Sequence, residues 1–303
     1  MRDEFGLIEA IVEGLGDRSL GDWIAVGPGD DAAVILPTDG LAQVASIDTL
    51  LPNVHFPAAA PAELIGYRAL MVSFSDLAAM GALPRYCLVS LSIDDSQIAP
   101  GAAWVVSLAR GMAQAARQLG VYVCGGNLTR GPLNIAVSVH GEVDSRQMLM
   151  RSNGSVGQGV YVTGHLGAAA ACVRRGHMLP ADPEALTYLQ RAYYRPQPRF
   201  NAVNPEGVVR AGIDISDGLC QDLAHLCVAS GCGAQLEAAA IPIADGALLE
   251  DALYGGDDYE LLLTCDVPIP GAMRIGILSG KMGLWLDGEP IQAKGFDHFR
   301  KDP

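Results

Sequence analysis

The chain has 303 residues, half of them hydrophobic, and carries 20 basic against 34 acidic side chains, so its formal net charge is 20 − 34 = −14. A surface that acidic repels nucleic acid and anionic lipid, which excludes both as expected partners, and it admits an anionic substrate only behind metal ions or a few placed arginines. The length predicts two domains on a prior of roughly 100–200 residues each.

The recurrence of Leu7, Ile8, Ile11, Val12 and Leu15 predicts a first helix that Gly16 ends. Ala32–Leu36 and Ala42–Ile47 read as strands around the turn Pro37-Thr38-Asp39-Gly40. Pro61 opens a long apolar helix through Met80, with Gly81 as its C-terminal cap. A strand (86–93), a helix (about 101–119), a strand (121–124), a Gly-rich turn and a strand from Asn134 to Val143 follow. The polar stretch 144–159 reads as the link between an N-terminal domain, 1–146, and a C-terminal domain, 147–303. Beyond it we expect a strand at 160–163, helices at 168–174, about 183–194 and 217–230, and short strands near 234–236, 259–264 and 274–278. Neither half alternates strictly between strand and helix, so the expected class is α+β.

Seven cysteines, an odd number without a C-x-x-C pair, lie mostly in apolar stretches and read as buried reduced thiols. The start, Met1-Arg2-Asp3-Glu4, has the wrong charge for a signal peptide, and no apolar run reaches the ~18 residues of a membrane span. A cytoplasmic protein is expected.

The informative residues are aspartates placed where apolar elements meet small-residue turns: Asp30 and Asp31, Asp48, Asp76, and the pair Asp214 and Asp217. Carboxylates at the ends of buried elements repel one another unless a cation lies between them, and Mg²⁺ takes one or two carboxylates and fills its shell with water and phosphate oxygen. If the strands at 32–36 and 42–47 pair, Asp31 and Asp48 approach each other. Asp76 stands in a helix with little polar face, where an unpaired charge costs several kcal/mol. Asp214 and Asp217 are placed to point the same way, although Ser216 or Asp217 also suits the start of the next helix as a cap. Gly125-Gly126-Asn127 offers close backbone approach and an amide; it is also ordinary turn chemistry. Arg151 is a cation available to phosphate or a plain surface arginine, and His55 is by itself a structural histidine. No phosphate-loop, dinucleotide, zinc-protease or nucleophile-elbow motif occurs. The pattern points to a magnesium–nucleotide enzyme.

In their order, GPGDDAAVI, SIDTL with NVHF, SDLAAMGA, CGGNLTRGP, MLMRSNG, DISDGL, GGDDYELLLT and GFDHF resemble the thiamine-monophosphate kinase family, of the aminoimidazole ribonucleotide synthetase-like superfamily. The resemblance implies two α/β-sandwich domains, a homodimer whose N-terminal sheets pair into a barrel-like core, and ATP-dependent phosphorylation of thiamine monophosphate assisted by several Mg²⁺ ions. It further implies Asp31, Ser46, Asp48, Asp76, Asn127, Asp214 and Asp217 as metal ligands, with Asp48, Asp76 and Asp217 central to catalysis. Gly126, Asn127, Arg151 and Ser216 would face ATP, and His55, Asp257 and Phe296 the thiamine side. Two positions depart from the family pattern: Asn127 stands where Asp is usual and Ile47 where Thr is frequent. The alternatives are another ATP-using synthetase of the superfamily and a non-catalytic nucleotide-binding relative. A selenophosphate synthetase would want a reactive Cys and a Lys near the N-terminus, and residues 1–26 contain neither.

Overall fold

Two stretches of alternating burial, at Ala42–Leu50 and Asn134–Val143, set the frame of the N-terminal half. A computed structural model describes residues 4–28, 32–98, 102–176, 178–202 and 208–298 and divides the chain into two units. The first comprises Met1–Leu77, Ala82–Asp144 and Met178–Ala185; the second comprises Ala78–Gly81, Ser145–His177 and Leu186–Pro303.

The first unit holds α1 (Glu4–Leu15), β1 (Ile24–Val26), β2 (Val34–Ile35), β3 (Ala42–Leu50), α2 (Ala62–Ala79), β4 (Leu83–Ile93), α3 (Asp95–Ile98), α4 (Ala103–Leu119), β5 (Tyr122–Arg130) and β6 (Asn134–Val143). Its four-stranded sheet runs β3-β6-β4-β5, with β4 and β5 parallel and the other pairs antiparallel. Ile135, Val137 and Val139 of β6 are buried, while Ala45, Ile47 and Thr49 of β3 are exposed, so one face of the sheet is covered and the other open. Helices α2 and α4 meet at two glycines. A Cβ on Gly66 would lie 2.1 Å from the Leu108 carbonyl oxygen, and one on Gly111 only 1.9 Å from that of Glu63. No other residue fits either position.

The second unit holds β7 (Gly159–Val162), α5 (Ala168–Arg174), α6 (Tyr188–Tyr194), β8 (Ala211–Asp214), α7 (Leu219–Ser230), β9 (Gly233–Leu236), α8 (Leu249–Tyr254), β10 (Leu261–Cys265), β11 (Met273–Ser279), β12 (Leu284–Leu286) and β13 (Glu289–Ile291). The sheet order is β13-β12-β9-β11-β7-β10-β8. Its central strands are apolar throughout because both faces are covered: Val160, Val162, Ile213 and Leu262 pack with Leu223 and Leu226 of α7, whereas Tyr161, Leu261 and Leu263 pack with Leu149 and Val209 on the other side.

Several elements differ from the sequence expectation, each for a local reason. Strand β2 pairs with β1, and β3 pairs with β6, so the two N-terminal strands do not pair with each other. The Gly-rich segment at 125–131 is not a turn: β5 runs through it to Arg130, because Gly126 lets the strand approach Val89, whose carbonyl oxygen would lie 1.8 Å from a Cβ there. The helix expected from 183 begins at Tyr188, fixed by a capping box in which Thr187 and Gln190 exchange hydrogen bonds. Helix α7 begins at Leu219 with Gly218 at its cap position, so neither Ser216 nor Asp217 caps it. Strands β1, β8, β12 and β13 and helix α8 are too short to carry a period and were not expected. All seven cysteines are free and buried. Among the described residues no helix is long and apolar enough to cross a membrane.

Candidate functional site

In the first unit, β3 presents Ser46 and Asp48 on alternate, half-buried positions, and α2 supplies Asp76. From Leu64 to Leu77 every residue of α2 is buried except Asp76, which marks the one point where this helix has polar business. Ser46 Oγ donates to Asp76 Oδ2 at 2.5 Å. Burial, and then the Asp76 charge, push the Asp48 carboxyl up to about 6, against a hydrogen bond from Ser73 that lowers it. The pair is therefore in electrostatic conflict at neutral pH, which a divalent cation would convert to attraction.

Asn127 lies apart from the pair. Asn127 is exposed on β5, the edge strand opposite β3, with β6 and β4 between them. Its row, Asn127-Ser90-Ala136-Thr49, runs on the open face of the sheet, whereas Asp48 shares a row with Val137, Val89 and Gly126. His55 Nδ1 accepts the Leu51 N–H at 2.9 Å and its carbonyl accepts from Arg68, a buried arginine, so His55 at least shapes its own loop. Asp31 lies outside the described residues.

In the second unit, three separated motifs are stitched together by main-chain hydrogen bonds. The Asp257 N–H donates to the Ser216 carbonyl at 2.8 Å, the Tyr259 N–H to that of Ile215 at 2.8 Å, and the Phe296 N–H to that of Asp217 at 2.9 Å. Asp214, Ser216, Asp217, Asp257 and Phe296 thus gather around one turn. Close approach again needs glycine: a Cβ on Gly256 would lie 2.4 Å from the Ser216 oxygen, and one on Gly295 2.5 Å from that of Asp217. Asp257 and Tyr259 both take left-handed backbone, φ 72° and 51°, a strained arrangement that turns Asp258 inward between them.

This turn is dense in carboxyl groups. The neighbouring arginines are committed elsewhere, Arg199 to Glu260 and Arg174 to Asp251. Burial, with Asp214 and Asp217 alongside, pushes the Asp222 carboxyl up to about 8. Asp258 is driven well above the carboxylate range, first by burial, and its Oδ2 has no hydrogen-bond partner among the described residues. Arg151 is not at this turn; its carbonyl accepts from Ser230 at the far end of α7, a helix about 18 Å long, and its side chain is exposed.

Among the described residues no three His, Cys, Asp or Glu side chains close into a cage. Paired carboxylates with serine and exposed approach are a donor set suited to Mg²⁺, which retains waters and phosphate oxygens, and unsuited to Zn²⁺. The residues fit the implied metal. Sequence reasoning missed Asp222, Gln221 and Asp258. Asp222 carried the signal that exposed Asp76, a lone acid in an apolar helical run, Leu219-Cys220-Gln221-Asp222-Leu223.

Residues 29–143 match the model for AIR synthase related protein, N-terminal domain, and residues 155–268 that for its C-terminal domain. Thiamine-monophosphate kinase of Escherichia coli (strain K12) is 34% identical over 91% of this chain and 92% of its own length. The crystal structure of thiamine-monophosphate kinase from Stenotrophomonas maltophilia K279a superposes with a TM-score of 0.81 at 33% identity, covering 95% of this chain and 98% of that one. AaThiL complexed with AMPPCP and TMP superposes with a TM-score of 0.78 at 28% identity over 99% of both chains.

Proposed function

This chain belongs to the thiamine-monophosphate kinase family, and we propose that it transfers the γ-phosphoryl group of ATP directly to thiamine monophosphate, with Mg²⁺ held by its paired aspartates. An oxygen of the acceptor phosphate forms the new bond to the γ-phosphorus as the bond to the β-phosphate oxygen breaks, giving thiamine diphosphate and ADP. That oxygen is already ionised at neutral pH, so no general base is required, in keeping with a site rich in aspartate and poor in histidine and lysine. Bound Mg²⁺ would offset the repulsion between two polyanions and align attack with departure.

In the first unit we assign Ser46, Asp48 and Asp76, with Asp31, to metal, and Gly126 and Asn127 to the nucleotide; Asn127 supplies an oxygen without charge. In the second we assign Asp214 and Asp217 to metal, Ser216 and Arg151 to ATP, and Asp257 and Phe296 to the thiamine side; in the first, His55 is likewise assigned to thiamine. The observation that carries this reading is the Asp48–Asp76 pair, in which burial and like charge meet beside Ser46, whose hydroxyl donates to Asp76. The open sheet face, with Ile47 66% exposed in mid-strand, supports a homodimer formed by that sheet. Free buried thiols support a cytoplasmic setting.

Protein given γ-labelled ATP, Mg²⁺ and thiamine monophosphate is expected to place the label in thiamine diphosphate. ADP without labelled product, or a labelled protein, overturns direct transfer. Asp76→Asn is expected to lower turnover by about two to three orders of magnitude with unchanged circular dichroism; activity at the wild-type level removes Asp76 from the site. Sedimentation is expected to give twice the chain mass, and a monomer that retains activity would dismiss the dimer.

A further inference from the structure

The turn that carries Asp217 is built around an oxygen supplied by the protein itself. Asp222 Oδ2 accepts the N–H groups of Ser216, Asp217 and Gly218, each at 3.1 Å. In return the Asp222 N–H donates to the Gly218 carbonyl at 3.0 Å, the first helical bond of α7. Successive amides converging at the start of a helix form the concavity in which many nucleotide-binding proteins seat a phosphate. Here the concavity is already filled, so the turn has no amides to spare for an anion and can serve a ligand only through outward side chains.

Asp217 is the side chain so presented, and it is restrained on three sides. Its N–H is held by Asp222, its carbonyl accepts the Phe296 N–H, and its Oδ2 accepts Gln221 Nε2 at 3.0 Å. Gln221 Nε2 also donates to the Phe296 carbonyl at 2.8 Å, which ties the C-terminal GFDHF segment to the same restraint. Among the described residues no donor reaches Asp217 Oδ1. The turn therefore offers one oxygen of fixed direction.

We infer that Asp222 and Gln221 are positioning residues for Asp217: Asp222 by folding three backbone amides around one acceptor oxygen, Gln221 by holding Oδ2 so that Oδ1 faces a cation. The inference rests on the reading of Asp217 as a metal-facing group. Acting through geometry, Asp222 needs its acceptor oxygen and not its charge, which separates it from a ligand.

The test measures Mg²⁺ binding in the presence of AMPPCP by calorimetry, alongside the Mg²⁺ dependence of kcat and KM, in Asp222→Asn, Asp222→Ala, Gln221→Ala and each combined with Asp217→Asn. Asp222→Asn, which retains an acceptor oxygen, is expected to bind Mg²⁺ within about threefold of wild type. Asp222→Ala is expected to bind at least tenfold, and Gln221→Ala at least threefold, more weakly, and both losses are expected to vanish in the Asp217→Asn background. Should Asp222→Ala fail to fold, Asp222→Asn and Gln221→Ala decide: an Asn variant as poor as Asp217→Asn, or an unchanged Gln221→Ala, overturns the inference. If Asp217→Asn itself leaves Mg²⁺ binding unchanged, the metal reading of Asp217 fails instead.

Discussion

Asp48→Asn is expected to make the protein more stable and nearly inactive. The Asp48 carboxyl is raised from 3.8 to about 6 by burial and by Asp76. A folded-state value above the unfolded one means that the native protein holds this proton more tightly, so stability falls as pH rises from about 4 through 6 and stays reduced above. A shift of about two pH units corresponds to about 3 kcal/mol, an upper bound on what the neutral side chain recovers at pH 8. Asn keeps the side chain's shape and an acceptor oxygen while discarding the repulsion. The expected result is a melting temperature several degrees above wild type at pH 8, a gap that closes as pH falls toward 4, and turnover reduced by at least about two orders of magnitude. Mg²⁺ should raise the melting temperature of wild type more than that of the variant. A variant less stable than wild type at pH 8, or one equally stabilised by Mg²⁺, would remove the electrostatic conflict on which the reading of the first unit depends.

The second large effect is expected from Arg199→Met. Glu260 is buried and accepts Arg199 Nε at 2.7 Å and Nη2 at 2.5 Å, together with Thr163 Oγ1 at 2.7 Å. Removing the guanidinium strands a buried carboxylate directly after the strained Asp257–Tyr259 segment. The loss should be about 3 kcal/mol, the low end for breaking such a pair because the Arg199 side chain is itself 40% exposed. Adding Glu260→Gln should recover most of it, since the stranded charge is then gone. Denaturant unfolding of the single and double variants is the measurement. A double variant no better than Arg199→Met would mean that lost packing of the arginine stem, and not the uncovered charge, sets the cost.

Long periodic elements were legible in the sequence. Strand Asn134–Val143 and helix Ala168–Arg174 fall where alternation and alanine content place them. That Asp76 is the one polar point of a buried helix was legible too, because a lone charge in an apolar run is costly to keep and stands out from its neighbours. What sequence alone misread was glycine. Gly125-Gly126 looks like a turn, yet it is the point at which one strand touches another. Glycine frees the backbone and also removes a side chain, and only three-dimensional neighbours reveal which use applies. Asp222 bore the same mark as Asp76, a lone acid in an apolar run, but its role could not be read, because its partners are three main-chain amides, which leave no trace in residue type. The row on which Asn127 sits could not be read either, since strand order follows from pairing across distant segments.

The contact of α2 with α4 at Gly66 and Gly111 bears on how Asp76 behaves before any ligand arrives. Two helices whose main chains touch, with no side chain interposed, have no lateral play. Asp76, ten residues further along the same helix, is then carried on a support fixed from the moment the protein folds, and on the proposed reading a ligand it meets does not bear the entropy of ordering it. Enlarging either glycine would force the two main chains apart, so lost activity in such a variant would report a broken support and not a missing ligand.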